Sequence, residues 1–213
     1  MAQKSKQWGA IIVMIALFAM IAFVTNLCTP MATIIKNQPG GVPNVLAQIG
    51  NYGNFIAYLV MGIPAGMLIS KYGYKKTALI GLVIGSVGLL IQWLSGFLDN
   101  GNNLGLVFGV YLLGAFIAGL CMAILNCVVN PMLNLLGGGG NTGNQLIQIG
   151  GVFNSSAAVA CYILMGALIA DVTKAKIADA TPALMIALCI FVVAFIVISF
   201  TKIEEPEQAP VRV

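Results

Sequence analysis

The groups able to do chemistry in this 213-residue chain are almost all neutral. Asn126, Asn130 and Asn134 recur at i, i+4 and i+8, which puts three carboxamides on one face of a helix. Thr25, Thr29 and Thr33 repeat that spacing, with Asn26 beside them. Two further clusters hold Gln48, Asn51, Asn54 and Tyr58, and Asn144, Gln148, Asn154 and Ser155. Amides and hydroxyls both donate and accept hydrogen bonds, which suits the hydroxyls of a polyhydroxylated solute. The same groups can act as glue between helices in lipid, contributing about 0.5–2 kcal/mol each. Glue explains isolated Ser and Thr residues. A three-Asn stripe is better explained by an aqueous cavity, because Asn is a poor helix former and expensive in a membrane. Asn26, Thr29, Asn51, Asn54, Asn126, Asn130, Gln148 and Asn154 are therefore the candidate solute-binding residues.

What is absent narrows the chemistry further. The six acids, Asp99, Asp171, Asp179, Glu204, Glu205 and Glu207, all fall outside the long apolar runs, and there is no histidine. Paired-carboxylate hydrolysis, metal catalysis and nucleophile–base pairs are unsupported, so neither an enzyme nor a metal or cofactor is expected. Cys28, Cys121, Cys127, Cys161 and Cys189 lie in apolar runs without a C-x-x-C pair and read as small buried hydrophobes. Gly137–Gly140 is followed by Asn-Thr-Gly rather than Lys-Ser/Thr, so it reads as a flexible cytoplasmic loop and not as a phosphate cradle.

The elements that must position these groups are set by composition. Hydrophobic residues make up 60% and charged residues 8%, with net charge +4 and mean hydropathy +0.99. Soluble domains carry roughly a quarter charged residues. Lipid is thus the solvent for most of the chain, which excludes nucleic-acid partners, secreted disulfide scaffolds and soluble enzymes. Spanning helices need about 20 apolar residues, and six segments qualify: 9–35, 45–70, 77–98, 104–136, 145–170 and 182–201. They lack the alternation of barrel strands, so an all-α membrane protein is expected. The connectors are Asn37–Pro43, Asp99–Asn103, Gly137–Gly143 and Asp171–Thr181. The first run is too long for a signal-peptide core and lacks a cleavage site, so it is expected to stay in the mature protein.

With the N-terminus inside, the inner segments hold Lys4, Lys6, Lys71, Lys75, Lys76, Lys202 and Arg212, and the outer loops only Lys36, Lys174 and Lys176. The asymmetry predicts an inner-membrane protein with both termini cytoplasmic. Residues 1–202 form one bundle in this reading, and 203–213 a polar cytoplasmic tail or the start of a linker.

The chain also repeats itself weakly. Gln48-Ile49-Gly50, Asn54 and Ala57 match Gln148-Ile149-Gly150, Asn154 and Ala157 at an offset of 100, and Thr29-Pro30-Met31 aligns with Asn130-Pro131-Met132. A repeat of three spans must insert its second copy upside down. Inverted three-helix repeats mark secondary transporters, with the substrate site near the bilayer midplane. Pro30 and Pro131 are expected to kink their helices. Gly62/Gly66, Gly81/Gly85 and Gly105/Gly109 are expected to let helices approach closely.

The segment Pro64-Ala-Gly-Met-Leu-Ile-Ser-Lys-Tyr-Gly-Tyr-Lys-Lys76 resembles the cytoplasmic loop motif of the major facilitator superfamily. Its form, with Phe23-Val24-Thr25, Asn130-Pro131 and Phe153-Asn154-Ser155 in order, is similar to the fucose–proton symporter family of hexose permeases. The resemblance implies a sugar permease working by alternating access, with Gly66, Ser70, Lys71, Gly73, Lys75 and Lys76 as the conformational loop motif. Three departures stand out: Ser70 where the superfamily usually has an acid, Thr29 where such members carry Asp, and Asn126 where they carry Glu. Neutral groups there can bind sugar but cannot carry a proton. Members also have twelve spans. The chain thus resembles an N-terminal half, and a second six-helix bundle is the expected partner: a separate chain, a second copy, or a missing C-terminal part. The competing reading is a non-transporting half, or a membrane interaction or sensor subunit built on the same bundle.

Overall fold

A computed structural model describes residues 8–37, 43–98, 103–169, 171, 174, 179 and 181–201. Helices α1 (Trp8–Lys36), α2 (Asn44–Ala47), α3 (Ile49–Phe97), α4 (Leu104–Leu136), α5 (Gly140–Leu168) and α6 (Thr181–Phe200) account for nearly all of them, with no strand among the described residues. Five of the helices are long and apolar enough to cross a membrane. The protein is an all-α, multi-pass membrane protein.

The 49-residue α3 differs most from the sequence reading, which placed two helices around a loop. Its apolar stretch of 46 residues would be about 70 Å long at 1.5 Å per residue, over twice the hydrocarbon thickness of about 30 Å. Gly73 breaks it, with φ 82° and ψ 172°, a conformation that side-chain-bearing residues avoid. Contacts show that the two limbs run in opposite directions. Asn54 packs on Gly119 and Tyr58 bonds Asn126, so the limb before Gly73 is parallel to α4. Gly81, Gly85 and Gly88 meet Ile124, Cys121 and Ala118, so the limb after it is antiparallel to α4. The loop has shrunk to a single left-handed glycine.

The same reasoning orients the remaining helices. Gly150 meets Phe18 and Tyr162 meets Asn26, so α5 runs parallel to α1. Gly143 sits against Asn134, so α5 returns along α4. Lys75 reaches Ser199 and Gly85 faces Phe191, which makes α6 antiparallel to the second limb of α3. The six limbs therefore alternate in direction along the chain.

Several boundaries change. The Gly137–Gly143 connector narrows to Gly137–Gly139, because Gly138, Gly139 and Gly140 adopt positive φ and let α5 begin at Gly140 rather than at 145. Pro30 and Pro131 lie inside continuous helices, as does Pro64. Each removes one donor, and the packing around the helix holds the remaining turns together.

The core lies between α1, α4 and the second limb of α3, including Met14, Leu17, Leu82, Leu89, Met122 and Leu125. Lipid tails are as apolar as Leu, so helices associate in a bilayer through close packing rather than through a hydrophobic driving force. Glycine supplies that closeness. A Cβ on Gly88 would lie 2.6 Å from the Ala118 nitrogen and 2.9 Å from the Gly114 oxygen, and one on Gly114 would lie 2.8 Å from the Gln92 nitrogen. The Gly81/Gly85 pair packs as expected, whereas Gly62, Gly66, Gly105 and Gly109 have nothing within 4 Å of an added Cβ. Helix α6 contains no glycine, and between α1 and α6 an apolar groove of about 590 Å³ remains, lined among others by Ala16, Met20, Ile190 and Val193. Cys121 and Cys161 are buried as expected, but Cys189 opens onto this groove.

Candidate functional site: a neutral hydrogen-bonding cluster

Helices α1, α3, α4 and α5 carry hydrogen-bonding groups that pair across helix contacts. Asn126 on α4 donates from Nδ2 to the Tyr58 hydroxyl of α3 at 2.7 Å and to the Met122 carbonyl at 3.1 Å. Asn130, one turn on, donates to the Asn126 carbonyl at 3.3 Å. Thr25 on α1 places its buried Oγ1 beside the Tyr58 hydroxyl. Its neighbour Asn26 turns toward α5, where the Tyr162 hydroxyl donates to Oδ1 at 3.3 Å, while Asn26 Nδ2 donates to the Ala22 carbonyl at 2.8 Å. The cluster is hydrogen-bonding and uncharged throughout.

The other candidates sit elsewhere. Asn54 is 4% exposed and lies in the α3–α4 contact, where a Cβ on Gly119 would meet its Oδ1 at 2.7 Å. Asn154 donates to the Phe18 carbonyl at 2.8 Å and ties α5 to α1. Gln148 is exposed at an open groove of about 520 Å³ shared with Asn141, Asn144 and Gln145. Asn134 donates to Asn144 Oδ1 at 3.2 Å beside the glycine turn, so the Asn stripe divides between the cluster and the α4–α5 corner. The side chains of Thr29 and Asn51 lie outside the described residues. Tyr162 was not foreseen, because an aromatic residue in an apolar helix carries no signal of its own.

The loop motif is built around the α3 turn. Ser70 Oγ donates to the Gly66 carbonyl at 3.0 Å, and the Thr77 hydroxyl donates to the Gly73 carbonyl at 2.6 Å, bracing the hinge from both sides. The Lys71 ammonium lies 5.2 Å from the Tyr72 ring centre, and Lys76 is exposed. Lys75 Nζ donates to the Ser199 and Thr201 carbonyls at 3.2 and 2.9 Å. A cation on the last carbonyls of a helix is favoured by its dipole, by about 0.3–1 kcal/mol at exposed sites. This loop is fastened through Lys75 to the end of α6.

The fold defines a multi-pass membrane protein whose inter-helix polar pairs are uncharged. No protein-family model matches the chain. The chain is similar to curated sugar transporters: it is 26% identical over 217 residues to the glucose/galactose transporter of Brucella abortus, covering 97% of this chain and 50% of that protein. It is also 26% identical to the L-fucose-proton symporters of Haemophilus influenzae, over 124 residues (57% of this chain, 27% of that protein), and of Escherichia coli K12, over 115 residues (54% and 24%). These relatives are transporters of the kind the sequence motifs resemble, not enzymes. The chain spans about half the length of the glucose/galactose transporter it matches along almost all of its own length.

Proposed function

We propose that this chain is the N-terminal, six-span half of a major facilitator sugar permease. It lies in the inner membrane with both termini cytoplasmic and handles a hexose by alternating access. The observation carrying this reading is the pairing of uncharged amides and hydroxyls between membrane-length helices, Asn126 with Tyr58 across α4 and α3 and Asn26 with Tyr162 across α1 and α5. Desolvated amides and hydroxyls at membrane depth are costly unless they serve each other or a polar solute. The relatives' printed substrates, glucose, galactose and fucose, make a hexose the solute of choice. Alternation of the six limbs supports six crossings, with α3 crossing twice. A second six-helix bundle is the proposed partner for the face formed by the first limb of α3 and by α5, where Leu59 is 83% and Ile163 68% exposed.

Two experiments test this. Calorimetry on the reconstituted chain with D-glucose, D-galactose and L-fucose is expected to detect binding of at least one. Asn126→Ala is expected to weaken it by about 1–3 kcal/mol, roughly 5- to 150-fold, by leaving a sugar hydroxyl unpaired. Unchanged affinity in that variant would remove Asn126 from the site. For topology, single cysteines at Asn44 and at Thr142, both exposed and at opposite ends of the bundle, are introduced into a cysteine-free background. An impermeant thiol reagent outside the cell is expected to label the first and spare the second. The reverse pattern would invert the orientation.

A further inference from the structure

Helix α6 turns two different faces to its surroundings. Leu184, Ala187, Phe191 and Ile198 are buried, with Phe191 facing Gly85 and the Lys75 ammonium on the last carbonyls. The other face carries Ile190, Val193 and Val197 at i, i+3 and i+7. Opposite it, α1 presents Ile12, Ala16 and Met20 at i, i+4 and i+8. These two stripes are the walls of the groove of about 590 Å³ between α1 and α6. Ala16 and Ala194 are the smallest residues of its lining, and they leave open the space that a longer side chain would take.

The lining holds no amide, hydroxyl or charged side chain; its heteroatoms are the sulfurs of Met20, Met185 and Cys189, all weak hydrogen-bonding groups. From Met185 to Ile198 it follows α6 for about 20 Å at 1.5 Å per residue. That is two-thirds of a hydrocarbon core about 30 Å thick. An occupant must therefore be apolar along its whole length. Sugars, ions and extended peptides are excluded, because their polar groups would be stranded. The chain's own adjoining segments, 1–7 and 202–213, are rich in Lys, Gln, Glu and Pro and are excluded on the same ground. A second helix of that length and about 10 Å across fills roughly 1,600 Å³. It would ride on the protruding Ile12 and Val193, 63% and 59% exposed, without filling the space below them. A hydrocarbon chain is thin and flexible enough to enter.

We infer that the α1–α6 groove is an intramembrane site for one acyl chain of a bilayer phospholipid. Without an occupant, the groove walls lack partner atoms on one side and forfeit the dispersion contacts that close packing supplies. Helix α6 has no glycine with which to close on α1, so the seated chain completes the packing of α6 in its place. The site is independent of the hexose reading.

The test is native mass spectrometry and thermal melting of the purified chain, delipidated in detergent and then given dioleoyl phosphatidylcholine or dioleoyl phosphatidylglycerol. Wild type is expected to regain one phospholipid and to melt about 5 °C higher with either lipid, since the groove reads the chain and not the headgroup. Ala16→Phe and Ala194→Phe place a ring in the groove. Both are expected to retain the lipid at least tenfold less well and to melt alike with and without it. Ile63→Phe, at a 79% exposed position outside the groove, is expected to behave as wild type. If the alanine variants do not fold, Cys189 carries the test, with the other four cysteines replaced by alanine. Either lipid is expected to slow its alkylation by N-ethylmaleimide about tenfold. Equal lipid retention by wild type and the groove variants would leave only annular lipid and overturn the inference. Alkylation of Cys189 at the same rate with and without lipid would do the same. Rescue of melting by phosphatidylglycerol alone would point to a headgroup site instead. A Cys189–Cys189 disulfide between two chains under mild oxidation would give the groove to a second copy.

Discussion

A Gly88→Leu chain is expected not to assemble its bundle. The Gly88 position faces backbone rather than flexible side-chain ends: the Ala118 nitrogen at 2.6 Å and the Gly114 oxygen at 2.9 Å from where a Cβ would stand. A side chain there must push α3 and α4 apart along their whole contact, since neither backbone can step aside within a continuous helix. Overpacking a well-filled core typically costs about 1–3 kcal/mol, and wedging two helices apart forfeits their other contacts as well. Gly114, Gly81 and Gly85 would all lose their partners together. Gly62→Leu is the matched control on the same helix, as nothing lies within 4 Å of its added Cβ. Gel filtration and thermal melting in detergent should show aggregation of the first variant and wild-type behaviour of the second. A monodisperse Gly88→Leu protein melting with wild type would refute the packing account.

Uptake by the lone chain is expected to stay at background. In the proposed mechanism the polar groups of α1, α3, α4 and α5 supply one side of the solute path, and alternating access comes largely from rocking one bundle against another. The first limb of α3 and helix α5 carry exposed side chains such as Phe55, Leu59, Val152 and Ile163, with polar Ser155, Ser156 and Tyr162 among them. Such a mixed face is poorly matched to lipid and well matched to a second helical bundle. The measurement is radiolabelled hexose uptake in a host lacking its own hexose permeases, with cross-linking to report the oligomeric state. Robust uptake by a chain that cross-links only as a monomer would show that one bundle suffices and would sink the two-bundle mechanism.

The α3 hairpin shows how much of this architecture composition alone can reveal. The amount of apolar chain and the Gly-Tyr-Lys-Lys segment were enough to place two spans and a basic turn there. That the turn would need one residue, Gly73 with φ 82°, was not legible, because a loop's length depends on how closely the two limbs pack on α4. The glycine pairs teach the same lesson. Spacing marked Gly62/Gly66, Gly81/Gly85 and Gly105/Gly109 alike, yet only the middle pair meets another helix, and the equally tight Gly88 and Gly114 belong to no marked pair. A G-x-x-x-G pattern says that one face of a helix is flat; which flat face finds a partner is a property of the assembled bundle.

The sequence by itself determined the solvent, the all-helical class, the weak internal repeat and the neutral character of the candidate groups, because each follows from residue type and count along a line. Tertiary structure decided which of those groups meet. Asn54 and Asn154 went to helix contacts, Asn134 to a corner, and Asn126 and Asn26 to paired tyrosines brought from 68 and 136 residues away. The physical reason is that an amide in lipid takes whichever partner helix packing brings within about 3 Å, and only the crossing of helices in space sets which partner that is.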